Sequence, residues 1–200
     1  MSQPWPPIRA VPLVLIAVAA AVFTILFLLA LGDDEQPHAE AGAEVGAPAP
    51  TFEGDAVRGG EISLERLQGN IVLLSFLNSR AEATPDNDPS RAQMVFVRSM
   101  QAQHERYGIR VIVVDAAVIS DAGTPSRSEL VNYTFDWNLG EAIAVIADDG
   151  TFARRFAVDM APTTFLIGPD GVVRQRWDGF VAAAPLDFAM RELEGRAPTD

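Results

Sequence analysis

Two short apolar runs in the middle of the chain constrain its fold more than any other feature. Residues 71–78 read IVLLSFLN and residues 109–115 read IRVIVVD. A nearly continuous apolar run rich in strand formers predicts a strand that is covered on both faces of a sheet. Between the two runs, Met94, Val97 and Met100 recur at helical spacing within residues 91–107. Strand, helix and strand in this order predict a right-handed parallel unit, so the fold class is α/β.

The second half of the chain predicts elements that complete the sheet. Ser126 and Glu129 have the spacing of a capping box, which opens a helix running to about Trp137. The turn GPDG at 168–171 lies between two strand-like segments and predicts an antiparallel hairpin, so the sheet is expected to be mixed. The remaining expected elements are a strand at 142–147, a short helix at 152–156, hairpin strands at 163–167 and 172–177, and a closing helix at 185–193.

The N-terminal part of the chain has the pattern of a membrane anchor. Residues 11–31 are apolar except for Pro12 and Thr24, and at about 1.5 Å per residue they match a bilayer core of roughly 30 Å. A cleaved signal peptide is the alternative, favoured by small residues near position 31 and opposed by the length of the run. Arg9 precedes the run and acidic residues follow it at 33–35, which predicts a cytoplasmic N-terminus and an extracytoplasmic body.

These patterns divide the chain into five parts. Residues 1–10 are the expected cytoplasmic end, 11–31 the transmembrane helix, 32–46 a flexible tether, 47–196 the folded domain and 197–200 a tail. The tether is assigned because its Ala, Glu, Gly and Pro residues offer almost no large apolar side chain to bury.

Composition excludes several classes of function. The chain has no cysteine, so it has no disulfide, no thiolate metal site and no cysteine nucleophile. A formal charge of -12 argues against nucleic acid as a partner, because that binding depends on basic side chains. His38 and His104 stand alone and lack the spacing of a metal site, and no phosphate-binding or dinucleotide motif occurs, so no metal or cofactor is predicted.

Three segments together resemble the redoxin, peroxiredoxin-like and TlpA-like branch of the thioredoxin superfamily, over about residues 45–193. They are GAPAPTF at 46–52, the segment 62–69, and MAPTTFLI at 160–167 followed by Asp170 and Gly171. The resemblance implies a three-layer α/β/α thioredoxin-like fold with an additional helix and strand in its middle. It also implies that the Ala161-Pro162 bond is cis, and that the backbone at Ala161, Pro162 and Thr163 pairs with an extended segment of a partner protein.

The chain departs from this branch where the branch carries its chemistry. Members place a Cys-x-x-Cys, or one peroxidatic cysteine, between the first central strand and its helix, whereas residues 78–91 here contain no thiol. Aligning the helix starts puts Asn87 and Ser90 at the two cysteine positions. Asp88 and Pro89 are interpreted as the N-cap and first residue of the helix. The alternative is an anion site at the helix start, assisted by Arg91.

The sequence therefore predicts a redox-inactive module that binds a protein or peptide outside the cytoplasm. Three rival hypotheses stay open. One is an enzyme of other chemistry at Ser90 and Arg91, although no base for a serine nucleophile lies nearby in sequence. Another is a member of an oxidoreductase family that acts only through a redox partner. The third is a structural domain without a specific ligand.

Overall fold

The computed structural model describes residues 42–80, 88–101 and 108–194. The expected membrane segment at 11–31, most of the expected tether and Asn87 lie outside these ranges. Within them, none of the helices combines the length and the apolar character that crossing a bilayer requires. The described residues belong to a compact unit that spans Glu40–Asp200.

A seven-stranded sheet of the described residues forms the centre of the domain, and it is mixed, as the sequence predicts. Its order is β2-β1-β5-β4-β3-β6-β7. Strand β3 pairs in parallel with β4, and β4 with β5, whereas the β3-β6 and β6-β7 pairs are antiparallel. The strands are β1 Glu53–Ala56, β2 Gly60–Ser63, β3 Ile71–Leu77, β4 Ile109–Asp115, β5 Ile143–Ala147, β6 Thr163–Ile167 and β7 Val173–Asp178.

The described residues form four α-helices and two short 3-10 helices, of which the last α-helix follows β7. The predicted capping box is confirmed, since Ser126 and Glu129 exchange side-chain and backbone hydrogen bonds at the start of α2. Helix α1 begins at Pro89, in agreement with the interpretation of Asp88 and Pro89 as the N-cap and the first helical residue. The α-helices are α1 Pro89–Ser99, α2 Arg127–Asp136, α3 Thr151–Arg155 and α4 Ala183–Glu194, and the 3-10 helices are Glu65–Leu67 and Ala117–Ser120.

The core has two parts, one on each face of the sheet, because alternate residues of a strand point to opposite faces. Leu73 and Leu77 of β3 pack with buried residues of α1, α2 and α4. Val72, Leu74 and Phe76 pack with residues of α3 and of the segment before β1. The sheet is thus a middle layer between two covering layers.

Two features at the start of the domain differ from the sequence prediction. The β1-β2 hairpin was not expected, because its strands read EGDA and GEIS and lack an apolar alternation. Residues 42–46, assigned to the tether, pack on the domain instead: Ala43 is buried and the Gly46 N–H donates to the Val173 carbonyl at 2.8 Å. A single small side chain that joins the core gives no periodic signal in the sequence.

Candidate functional site

The start of α1 is capped as the sequence predicts. The Asp88 carboxylate accepts a hydrogen bond from the Ser90 N–H at 2.9 Å, and Pro89 occupies the first helical position. A carboxylate therefore takes up a free amide at this helix end and adds a negative charge there. The Arg91 guanidinium lies over the Trp137 ring, 5.3 Å from its centroid. This arrangement disfavours the anion site considered as the alternative.

The hydroxyl of Ser90 has a structural partner. Ser90 is buried, and its Oγ accepts the Asn78 N–H at 3.3 Å, which ties the end of β3 to the start of α1. The residues whose aligned positions carry cysteines in the family are Asn87 and Ser90, and only Ser90 lies within the described part of the chain. Its geometry is that of a packing contact between two elements.

A buried carboxylate, Asp115, lies at the same edge of the sheet. It ends β4 directly beside Leu77, the last residue of β3. Its Oδ1 accepts the N–H groups of Ser79 and Ala117 at 3.4 and 3.1 Å, while its buried Oδ2 has no hydrogen-bond partner among the described residues. Burial raises the pKa of the Asp115 carboxyl, although these hydrogen bonds oppose the shift. Burial and the Asp115 charge together raise the pKa of the Tyr133 phenol.

We expect Asp115→Asn to gain stability relative to the unaltered chain as the pH rises. The pKa of Asp115 is higher in the folded than in the unfolded state, so the folded state binds its proton more tightly. Ionised Asp115 therefore lowers the free energy of unfolding at pH values above its pKa in the folded state. This loss vanishes below its pKa in the unfolded state, which is about 4. Asparagine keeps an oxygen for the two N–H groups and does not titrate.

Urea unfolding of the full chain at a series of pH values measures this difference. Asp159→Asn is the control, since Asp159 is exposed and makes no hydrogen bond within the described residues. A stability difference between Asp115→Asn and the unaltered chain that does not change with pH would contradict the account.

An ion pair holds the segment that leaves β3. The Arg80 guanidinium donates to both carboxylate oxygens of Glu129, at 2.7 and 2.8 Å. Hydrogen bonds from Ser126, together with the Arg80 contact, lower the pKa of Glu129 to about 2. Arg80 also donates to the Ala122 carbonyl. The chain after β3 is thereby fastened to the start of α2.

The loop before β6 has the backbone geometry that the resemblance implies, because the Ala161-Pro162 peptide bond is cis. The Pro162 carbonyl accepts the Gly179 N–H at 2.7 Å. The Thr163 hydroxyl donates to the Met160 carbonyl at 2.9 Å, which closes the loop. Within the described ranges, the backbone N–H and C=O of Ala161 make no hydrogen bond. Among the residues that the structure describes, these two main-chain groups next to the proline are therefore left without a partner.

Two large apolar side chains flank this loop and form what we call the cis-proline rim. They are Met160, two residues before the proline, and Phe180, which follows the Gly179 that bonds Pro162. About half of the surface of each side chain is exposed. The two side chains offer apolar contact surface to another chain, next to the Ala161 backbone groups that have no partner among the described residues.

The predicted site residues that the structure describes lie near one end of the central strands. Thr163 pairs with Phe76 near the end of β3, and Ser90 bonds Asn78 just beyond that end. The rim is joined to α1 as well, since the Val181 N–H donates to Oε1 of the fully buried Gln93 at 2.9 Å. The start of α1 and the cis-proline loop therefore lie together, where parallel strands of α/β proteins present their sites.

The model of the AhpC/TSA family matches residues 45–176. The chain belongs to the AhpC/TSA family. This AhpC/TSA protein is 26% identical to the thiol-disulfide oxidoreductase ResA of Bacillus thuringiensis subsp. konkukian, over 75% of this chain and 79% of ResA.

Solved structures show the same fold. A DsbF homologue from Corynebacterium diphtheriae is 16% identical, with a TM-score of 0.60, 74% of this chain covered and 87% of the homologue. A thiol:disulfide interchange protein of Chlorobium tepidum TLS is 21% identical, with a TM-score of 0.56, 76% of this chain covered and 99% of that protein. The fold of the AhpC/TSA protein is thus thioredoxin-like. It has no cysteine with which to perform the chemistry in those names.

A concave region lies apart from the cis-proline rim. A cavity of about 980 Å³ opens between the β1-β2 hairpin and the start of α3. Glu53 lines this cavity. Its pKa is raised, mainly because its side chain shares a hydrogen bond with Glu61. The described residues hold no group of three or more side chains placed to bind a metal ion. The lining carboxylates are Glu53, Asp55, Glu61, Asp148 and Asp149.

Sequence reasoning missed three residues that shape the site. Asp115 carried a usable signal, since a charged residue that closes an apolar strand lies at the edge where sites form. Gln93 and Phe180 carried none. Gln93 falls on a helix whose apolar residues dominate the periodicity, and Phe180 is positioned only by the register between β6 and β7.

Proposed function

We propose that this AhpC/TSA protein is a thiol-free module that binds an extended peptide segment of a partner protein at the cis-proline loop. One observation carries the proposal: the Ala161 backbone has no hydrogen-bond partner among the described residues, and the nearby side chains of Met160 and Phe180 are about half exposed. An extended peptide can satisfy such groups with its own N–H and C=O, in the manner of an added strand. This mode of binding requires no thiol.

The rim also defines the chemistry of the partner. Side chains of an extended segment alternate in direction, so a residue that faces the rim is flanked by residues that point away. Met160 and Phe180 offer apolar surface, which favours an apolar side chain at the central position. The expected occupant is therefore an extended segment with an apolar residue that contacts both side chains of the rim.

The proposal places the domain outside the cytoplasm, held at the membrane. The support is the sequence of the first part of the chain, where the apolar residues 11–31 follow Arg9 and precede three acidic residues. No second function is proposed at the start of α1. The Asp88 carboxylate occupies the place that an anionic substrate would need.

The proposed function is tested with a binding peptide. The peptide is selected from a random phage-displayed library against the full chain in detergent, and its affinity for variants of the chain is then measured. Phe180→Asp is expected to weaken binding of the selected peptide by roughly tenfold or more, a loss of about 1.4 kcal/mol. The substitution replaces the apolar contact by a hydrated charge, which the peptide must desolvate to bind.

Phe135→Asp is the matched control, because Phe135 is an exposed phenylalanine of α2, away from the loop. It should leave the affinity within about twofold of the unaltered chain, since a distant surface change is nearly neutral. Equal loss in both variants, or no loss in Phe180→Asp, would remove the cis-proline rim as the binding surface.

A further inference from the structure

Met160 differs from the other described methionine side chains in its exposure. It is 48% exposed, whereas Met94 and Met100 are 0% and 2% exposed within the core. The sequence has no cysteine, so thiols do not compete for an oxidant in this protein. The exposed thioether lies two residues from Pro162, on the surface to which we assign peptide binding.

An exposed thioether reacts with hydroperoxides by accepting an oxygen atom. A hydroperoxide delivers its terminal oxygen to the sulfur lone pair, so an S–O bond forms while the O–O bond breaks. The sulfur is oxidised by two electrons, and the peroxide is reduced to an alcohol, or to water when the oxidant is hydrogen peroxide. The product, methionine sulfoxide, is polar and can be reduced back enzymatically.

We propose that Met160 is a site of reversible oxidation by hydroperoxides that weakens peptide binding at the cis-proline rim. The inference rests on the proposed function, because it describes the regulation of that same surface. Oxidation changes the end of the side chain only. The contact that closes the loop uses the Met160 backbone carbonyl and the Thr163 hydroxyl, so it survives the reaction.

The effect on binding follows from desolvation. A sulfoxide oxygen accepts hydrogen bonds from water, and an apolar peptide side chain packed against it cannot replace them. The rim then retains Phe180 but loses its second apolar surface. We expect the oxidised chain to bind the selected peptide roughly tenfold more weakly than the untreated chain, or worse.

The first arm of the test measures where oxygen is added. The full chain is treated with hydrogen peroxide in its native state, digested with trypsin and analysed by mass spectrometry. Cleavage at arginine places Met94, Met100 and Met160 in three separate peptides. Met160 is expected to gain one oxygen atom roughly tenfold faster than the two buried methionines, which react only after local opening.

Treatment in concentrated urea is the control for intrinsic reactivity, since all three side chains should then react at similar rates. Native oxidation of Met160 that is no faster than that of Met94 would overturn the proposal. This arm needs no peptide and reads out independently of the proposed function.

The second arm compares affinity for the selected peptide before and after peroxide treatment. For Met160→Leu, the affinity for the selected peptide should be nearly the same before and after peroxide treatment, because leucine is not oxidised. This holds whatever the affinity of the untreated variant. Treatment of the oxidised chain with methionine sulfoxide reductases A and B should restore binding. Peptide binding that persists after complete oxidation of Met160 overturns the switch alone, whereas failure of the untreated chain to bind any selected peptide overturns the proposed function and the switch with it.

Discussion

Replacing Phe156 by alanine is expected to lower the free energy of unfolding by about 3–5 kcal/mol. The Phe156 side chain is fully buried and lies at the centre of an aromatic cluster on one face of the sheet. Its ring centroid lies 5.5 Å from that of Phe76, 5.4 Å from that of Phe165 and 6.2 Å from that of Phe52. Alanine would leave a cavity among rings that cannot easily collapse, so transfer and cavity costs add.

Phe135→Ala provides the matched comparison. Phe135 is 75% exposed, so its removal should change the free energy of unfolding by no more than about 0.5 kcal/mol. Urea unfolding of the full chain, followed by tryptophan fluorescence, measures both variants. Similar losses for Phe156→Ala and Phe135→Ala would contradict the assignment of this cluster as the core.

The full chain is expected to show no catalysis of disulfide reduction in an insulin-reduction assay with dithiothreitol. Exchange begins with attack of a thiolate on a disulfide sulfur, and this sequence provides no thiolate. Membership of the AhpC/TSA family does not supply one, because fold and function separate when the reactive groups are lost. The rate of insulin precipitation should equal that of dithiothreitol alone.

A heat-inactivated sample is the negative control of this assay, and a thiol-bearing oxidoreductase is the positive control. Turnover above the heat-inactivated sample that persists after repeated purification would show that the chain catalyses the exchange by another route.

The sequence was sufficient to predict the central elements, for identifiable physical reasons. Strands β3 and β4 are covered on both faces, so their sequences are continuous apolar runs that indicate strands without further context. The start of α2 was predictable because a capping box is a local interaction. The cap formed by Asp88 and Pro89 was predictable for the same reason.

What the sequence did not predict depends on contacts between distant segments. The β1-β2 hairpin is short and polar, and its place at the sheet edge follows from pairing with β5. The burial of Ala43 depends on core residues that other elements of the fold contribute. Phe180 joins the cis-proline rim only because Gly179 bonds Pro162 across the end of β6 and β7. Periodicity within one segment contains no information on such pairings.

Amide hydrogen exchange of the full chain, measured with and without the selected peptide, tests the central claim most directly. The account predicts that the Ala161 amide, which has no partner within the described residues, becomes protected when the peptide binds. Amides of α2 around Phe135 should exchange at unchanged rates. Peptide binding that leaves the Ala161 amide unprotected, or that protects a different surface, would contradict the assignment of the cis-proline loop as the binding site.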